Sequence, residues 1–118
     1  MTDYPKRGEI YYADLDPVIG HEQGGRRPTL ILQNDISNRT SSVVIVAVIT
    51  ASPASIRRPT NILLLPGNSG LTAQSRVMLN QIRTVDKQRL GRYVGNLDAT
   101  TMAQIDEAIQ ISLGLVEL

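Results

Sequence analysis

Hydrophobic and polar positions alternate with a period of two over most of the chain and shift to a helical period only near its end. Residues 7–15 alternate after Gly8, with Ile10, Tyr12 and Asp14 on one face and Glu9, Tyr11 and Ala13 on the other, and Asp16-Pro17 ends this first predicted strand. A polar loop over 18–26 leads to a second strand over 29–33, in which Leu30 and Leu32 oppose Thr29 and Ile31. Pro28 lacks a backbone N–H and keeps Arg27 out of helical dihedrals, so the strand is expected to begin near it, with Arg27 at the joint between loop and sheet. Asn34-Asp35 and Ser37-Asn38 read as a turn. Residues 42–50, SVVIVAVIT, form a β-branched run expected to be a central strand buried on both faces, with Thr50 at its carboxyl end able to leave the core. Short strands are predicted over 61–65 and 91–97. A longer one over 75–84 puts Gln81 and Arg83 on one face with Val77 and Leu79. From Asp98, a plausible N-cap, Met102, Ile105, Ile109, Ser112, Leu113 and Val116 recur at three- and four-residue intervals. That is an amphipathic helix of about four turns covering one face of a sheet. No repeat or linker divides residues 1–118, so the expected architecture is one mainly β (α+β) domain, a small, strongly bent antiparallel barrel with a C-terminal helix.

Composition narrows this picture. There is no Phe, Trp or Cys, and the four tyrosines are the only aromatics, so aliphatic side chains fill the core and thiolate or disulfide chemistry is excluded. No apolar leader opens the chain, and the longest uncharged run, over 40–56, is interrupted by serines and Pro53. A cytoplasmic protein without membrane insertion is expected. The Asn38-Arg39-Thr40 sequon is therefore taken as chance. The formal net charge is +1, but nine of the twelve Lys and Arg lie at or before Val85 against six of the eleven Asp and Glu, so positive charge gathers with the loops. Ten of those twelve basic residues are Arg, which favours bidentate contact with phosphate or carboxylate.

Residues 20–35, GHEQGGRRPTLILQND, hold the densest candidate chemistry. Gly24 and Gly25 can turn backbone N–H groups towards an anion, with Arg26 and Arg27 close behind. A Gly-Gly hairpin connection with solvated arginines accounts for the same letters. A second loop over 51–59 carries Arg57-Arg58, which also reads as a solvated turn. One histidine, His21, and scattered acids do not make a metal site, and no metal or other cofactor is expected. No nucleophile elbow, phosphate-binding lysine loop or dinucleotide fingerprint is present. What remains is arginine, threonine, amides and backbone N–H groups. These stabilise a pentacoordinate phosphorane where the substrate brings its own nucleophile, as the 2′-hydroxyl of RNA does.

The run Arg7-Gly8-Glu9-Ile10-Tyr11, the EQGG-x-RP and QIRT-x-DK motifs, the Thr50 strand end and the closing helix DEAIQISLGL resemble the MazF/PemK family of toxin endoribonucleases over nearly the whole chain. The resemblance implies an SH3-like barrel of the plasmid-maintenance toxin type, assembled as a homodimer. It implies metal-independent cutting of single-stranded RNA at short sequences to give 2′,3′-cyclic phosphate and 5′-hydroxyl ends, and a cognate antitoxin whose acidic, flexible tail lies across the RNA site. Arg27 matches the family's catalytic arginine and Thr50 its catalytic threonine. Glu22, Gln23 and Gln81 are expected to touch RNA or brace Arg27, and Glu22 also reads as a salt-bridge partner. Gly24, Gly25, Arg26, Asn34 and Arg83 complete the expected contact set, and His21 reads as a substrate-facing or solvated loop residue. A guanidinium is a poor base at neutral pH, so Arg27 is expected to hold and neutralise the phosphate. A barrel of this fold that kills by binding a protein such as DNA gyrase is the alternative, and it has no need of the Arg27/Thr50 pair.

Overall fold

The computed structural model describes residues 4–51, 59–67 and 69–117. Six strands, β1 (Glu9–Asp14), β2 (Arg26–Ile31), β3 (Val43–Thr50), β4 (Asn61–Leu64), β5 (Ser75–Asp86) and β6 (Leu90–Asn96), form one antiparallel sheet in the order β4-β5-β3-β2-β1-β6. Two α-helices, α1 (Asp35–Thr40) and α2 (Ala99–Ser112), and a short 3-10 turn over Lys87–Arg89 between β5 and β6 complete the fold.

β3 lies at the middle of the sheet because its side chains serve both faces. Ala47 and Ile49 join one apolar cluster with Ile10, Leu30, Leu79 and, from α2, Ile105 and Ala108. Val44, Val46 and Val48 join a second with Ala13, Leu15, Ile31, Met78 and Val85 on the opposite face. Asp98 caps α2 as predicted, its side chain accepting from Thr101 N–H at 2.8 Å, and that backbone bond, then one with the Thr101 side chain, holds its carboxyl below the usual range. The helix packs through Met102, Ile105 and Ile109, and Ser112 donates to Leu79 O at 2.6 Å. Leu113 and Val116, expected in the same stripe, lie past the helix end and are exposed.

The sheet is mainly β and strongly bent as expected, but its ladder does not close, so "barrel" holds only loosely. β4 and β6 are its edges. They are brought together by backbone contact: a Cβ at Gly70 would lie 2.1 Å from Val94 O, and one at Gly95 would lie 2.2 Å from Ser69 O. Only glycine lets the segment after β4 press this closely on β6.

Two local expectations are corrected. Residues 35–40 form a short helix where a turn was expected. They lack apolar periodicity, and the helix is held by polar contacts: Asn34 caps it, and buried Asn38 donates to Gln33 O at 2.7 Å while accepting from Gln33 Nε2 at 3.1 Å. Second, β2 begins at Arg26, two residues before Pro28. The β2–β3 ladder starts only at Thr29, so Pro28 sits where β2 pairs with β1 alone and its missing N–H interrupts no β3 ladder.

β5 also departs from simple alternation. Ala47 pairs with Ile82 but Val48 with Met78, so residues 79–81 form a bulge that reverses the parity of the strand. Val77 and Leu79 face the α2 side, whereas Arg83 pairs with Val46 and Val85 packs in the second cluster. The expected common face for Val77, Leu79 and Arg83 is therefore wrong.

Candidate active site

The second cluster runs out of apolar side chains at one end of the sheet, and there the polar residues begin. The β2–β3 register pairs Thr29 with Val48 and Ile31 with Val46; continued by two residues, it sets Arg27 across from Thr50. On β3, Thr50 follows Val48 on the same face, and on β2, Arg27 precedes Thr29. Arg27 also pairs with Ala13 on β1, and Thr50 with Arg76 on β5. One row across the sheet thus reads Ala13, Arg27, Thr50, Arg76, with neighbouring strands about 4.8 Å apart. Arg27 and Thr50, 23 positions apart in sequence, come together by strand pairing alone. Thr50 was expected to leave the core, but it is only 3% exposed and forms the floor of the row.

The loop between β1 and β2 aims the arginine. Arg27 Nε donates to Gly24 O at 2.8 Å, which fixes the guanidinium plane and leaves its terminal nitrogens to meet an anion. Gly24 fits closely here: a Cβ would sit 2.6 Å from Asp16 Oδ1 and 2.7 Å from Val18 Cγ2, so both side chains would have to shift to admit one. Gly25, at φ +78°, donates its N–H to Asp16 Oδ1 at 2.9 Å. The expectation that this N–H serves an external phosphate is thereby corrected: the loop supplies its own carboxylate. Gln23 N–H donates to Gln81 Oε1 at 3.4 Å, and Gln81 Nε2 donates to His21 O at 3.5 Å, so Gln81 clamps the loop from the β5 bulge. Arg83 donates to Leu15 O at 3.1 Å, and Arg89 to Asp14 O and Asp16 O at 3.1 and 2.6 Å. Gln81 and Arg83 brace the arginine at one remove, through the loop that carries Gly24.

The other expected site residues divide clearly. Glu22 accepts from Ile19 N–H at 2.6 Å and makes no ion pair with Arg27; it shapes the loop. His21 is exposed, as a solvated or substrate-facing loop residue should be. Arg26 alternates to the face opposite Arg27, where its guanidinium lies 5.9 Å from the Tyr12 ring centroid and close over Gly91. Arg92 approaches the same ring at 4.9 Å. Asn34 is at the far end of β2 from Arg27, occupied in capping α1, and the fold does not bring it to Arg27 and Thr50. Arg57 and Arg58 lie outside the described residues.

Tyr11 stands on the Arg27 face, paired with Thr29, and meets Tyr93 edge to face at 5.5 Å. Burial pushes its phenol up to about 12, and the Glu9 carboxylate, which accepts its hydrogen bond at 3.2 Å, adds to the shift. Sequence reasoning missed Asp16, Arg89 and Arg76. Asp16 carried a signal, since Asp before Pro at a turn bonds nearby backbone N–H groups. Arg76 and Arg89 carried none: strand pairing sets Arg76 beside Thr50, and the 3-10 turn after β5 brings Arg89 to the β1–β2 loop. Among the described residues no cluster of three or more His, Asp and Glu is arranged to hold a metal ion, and no helix is long and apolar enough to cross a membrane.

Comparison with known proteins agrees with this fold. Residues 6–113 match the family described as PemK-like, MazF-like toxin of type II toxin-antitoxin system. Endoribonuclease EndoA of Bacillus subtilis is 49% identical over 112 residues, spanning 95% of this chain and 97% of that protein. Endoribonuclease MazF of Staphylococcus epidermidis is 44% identical over 110 residues, spanning 93% and 92%. Among solved structures, a mycobacterial endoribonuclease in complex with its cognate antitoxin superposes with a TM-score of 0.79 at 31% identity, covering 97% of this chain and 99% of that one. MazF of Deinococcus radiodurans gives 0.81 at 25% identity, covering 95% and 98%. With a family match over most of its length and relatives of 49% and 44% identity over nearly the whole chain, the chain belongs to the PemK-like, MazF-like toxins of type II toxin–antitoxin systems.

Proposed function

We propose that this protein is a cytoplasmic, homodimeric endoribonuclease that cuts single-stranded RNA by attack of the RNA's own 2′-hydroxyl, without a metal ion, and that a cognate antitoxin inhibits it by laying an acidic segment over the same site. The observation that carries this is the convergence of Arg27 and Thr50 on one face at the end of the sheet, with the guanidinium plane held by Gly24 O. The names of the relatives support RNA as substrate, and the complex with an antitoxin supports the partner.

In this reaction the 2′-oxygen forms a bond to phosphorus while the bond to the 5′-oxygen breaks. The proton lost by the 2′-hydroxyl is balanced by one gained at the 5′-oxygen, and the products are a 2′,3′-cyclic phosphate and a 5′-hydroxyl. Charge gathers on the non-bridging oxygens in the transition state. Arg27 neutralises it through its terminal nitrogens, and the Thr50 hydroxyl donates to it from the floor of the row. Because the donors are fixed by the sheet, little reorganisation accompanies the step. The test is an RNA carrying deoxyribose at the scissile nucleotide, incubated with the pure protein and excess EDTA beside the all-ribose strand. The ribose strand is expected to be cut and the modified one to stay whole; cleavage of the modified strand would refute the mechanism.

A further inference from the structure

We propose that Arg76 is a second phosphate-binding arginine, reaching the anion at Thr50 from the side opposite Arg27. The inference rests on the site proposed above and extends it to a residue outside the recognisable motifs. Arg76 pairs directly with Thr50 across the β3–β5 ladder, and its strand neighbour Met78 packs with Val48 in the second cluster, so its side chain stands on the face of Arg27 and Thr50. Each guanidinium starts one strand spacing, about 4.8 Å, from the Thr50 backbone. The threonine lies between them.

The state of the side chain points the same way. Arg76 Nε is buried and has no hydrogen-bond partner, and no carboxylate among the described residues pairs with its charge. A buried donor left unmade is unfavourable, and an acceptor that arrives from outside would satisfy it. Close by is a second orphan. Asn61 pairs with Met78, and Arg76 with Leu63, so Asn61 and Arg76 are diagonal neighbours on one face; Asn61 Oδ1 is also buried and unpartnered. A bound nucleotide answers both groups, since its phosphate accepts from Arg76 and a ribose hydroxyl or base amino group donates to Asn61. Arg39 offers the contrast of an exposed arginine in the last turn of α1, where no such orphan lies.

A purely structural arginine, its stem packed on the sheet and its fork in water, is the competing explanation. Salt dependence separates the two. The probe is a single-stranded oligomer spanning a site that the wild-type protein cuts, with deoxyribose at the scissile nucleotide so that binding is read without cleavage. Its affinity is measured between about 50 and 200 mM salt for the wild type and for Arg76→Met, Arg76→Gln, Arg76→Lys and Arg27→Met. Loss of one phosphate contact on a single strand reduces the slope of log affinity against log salt by about 0.7. Both neutral Arg76 variants should show that reduction and the Lys variant should keep the wild-type slope, although it cuts more slowly for want of a planar fork. Two neutral variants guard against one that folds poorly. If Arg27→Met flattens the slope and the neutral Arg76 variants do not, the role of Arg76 is overturned and the site stands. If neither position changes it, both fall.

Discussion

At Arg27 a long, flexible cation becomes a fixed one. An arginine in water samples many rotamers, but the bond from its Nε to Gly24 O selects one orientation in advance. Arg27→Ala and Thr50→Ala should each lower cleavage of single-stranded RNA by about 10²-fold or more, the effect of removing one preorganised donor to a developing oxyanion, with an unchanged far-ultraviolet circular dichroism spectrum. Tyr11 provides a residue-level test of a different kind. Its folded phenol titrates at about 12 against about 10 in an unfolded chain, so the fold favours the protonated form. The stability this contributes is fully present below about pH 10 and is lost as pH rises through about 12. In urea titrations across that window, the wild type should lose stability more steeply than Tyr11→Phe; equal slopes would refute the assignment. A tyrosine's identity was legible in the sequence, but its burial beside Glu9 was not, because Tyr93 arrives from a strand 82 positions later.

Among the elements, α1 and β5 are where simple periodicity misleads. α1 is six residues long with one buried side chain, Asn38, so polar bonds determine it and an apolar pattern does not. Asn34→Ala should cost about 1 kcal/mol of stability in chemical denaturation by removing the N-cap. Its affinity for RNA should equal that of the wild type, since Asn34 lies at the end of β2 away from Arg27; a large loss of affinity would put it back in the site. In β5, the bulge at residues 79–81 turns Arg83 to the opposite face from the one alternation predicts. It also places Gln81 against the β1–β2 loop, where its amide reaches the backbone of both His21 and Gln23. An irregularity in one strand thus serves the loop of another.

For the whole molecule, the contact between the sheet's two edges is decisive. The ladder leaves β4 and β6 unpaired on their outer sides, yet the segment after β4 meets β6 at two glycines with no room for a methyl group. Gly95→Ala would push a Cβ to 2.2 Å from Ser69 O and force the edges apart. The expected loss is roughly 1–3 kcal/mol, as for other overpacked positions, read from the urea midpoint. A midpoint unchanged by this substitution would show that the approach of the edges does not stabilise the bend. The same bend leaves the face carrying Arg27, Thr50 and Arg76 uncovered by α2, which packs on the other cluster. The fold therefore gives one face to the helix and leaves the other to the polar row of Arg27, Thr50 and Arg76.

The sequence by itself determined the elements and the chemistry available. A β-branched run marks the central strand, a period of three to four marks the final helix, and the EQGG-x-RP and QIRT-x-DK motifs, with the strand end at Thr50, carried the resemblance to the family. Those properties are local, written in neighbours a few positions apart. Only the tertiary structure decided which polar groups meet. It set Arg76 beside Thr50, gave Asp16 rather than a ligand to Gly25, and withdrew Asn34 to a helix cap. Register, bulges and the approach of two edges depend on pairing between distant segments, and a shift of one residue turns every side chain of a strand to the other face.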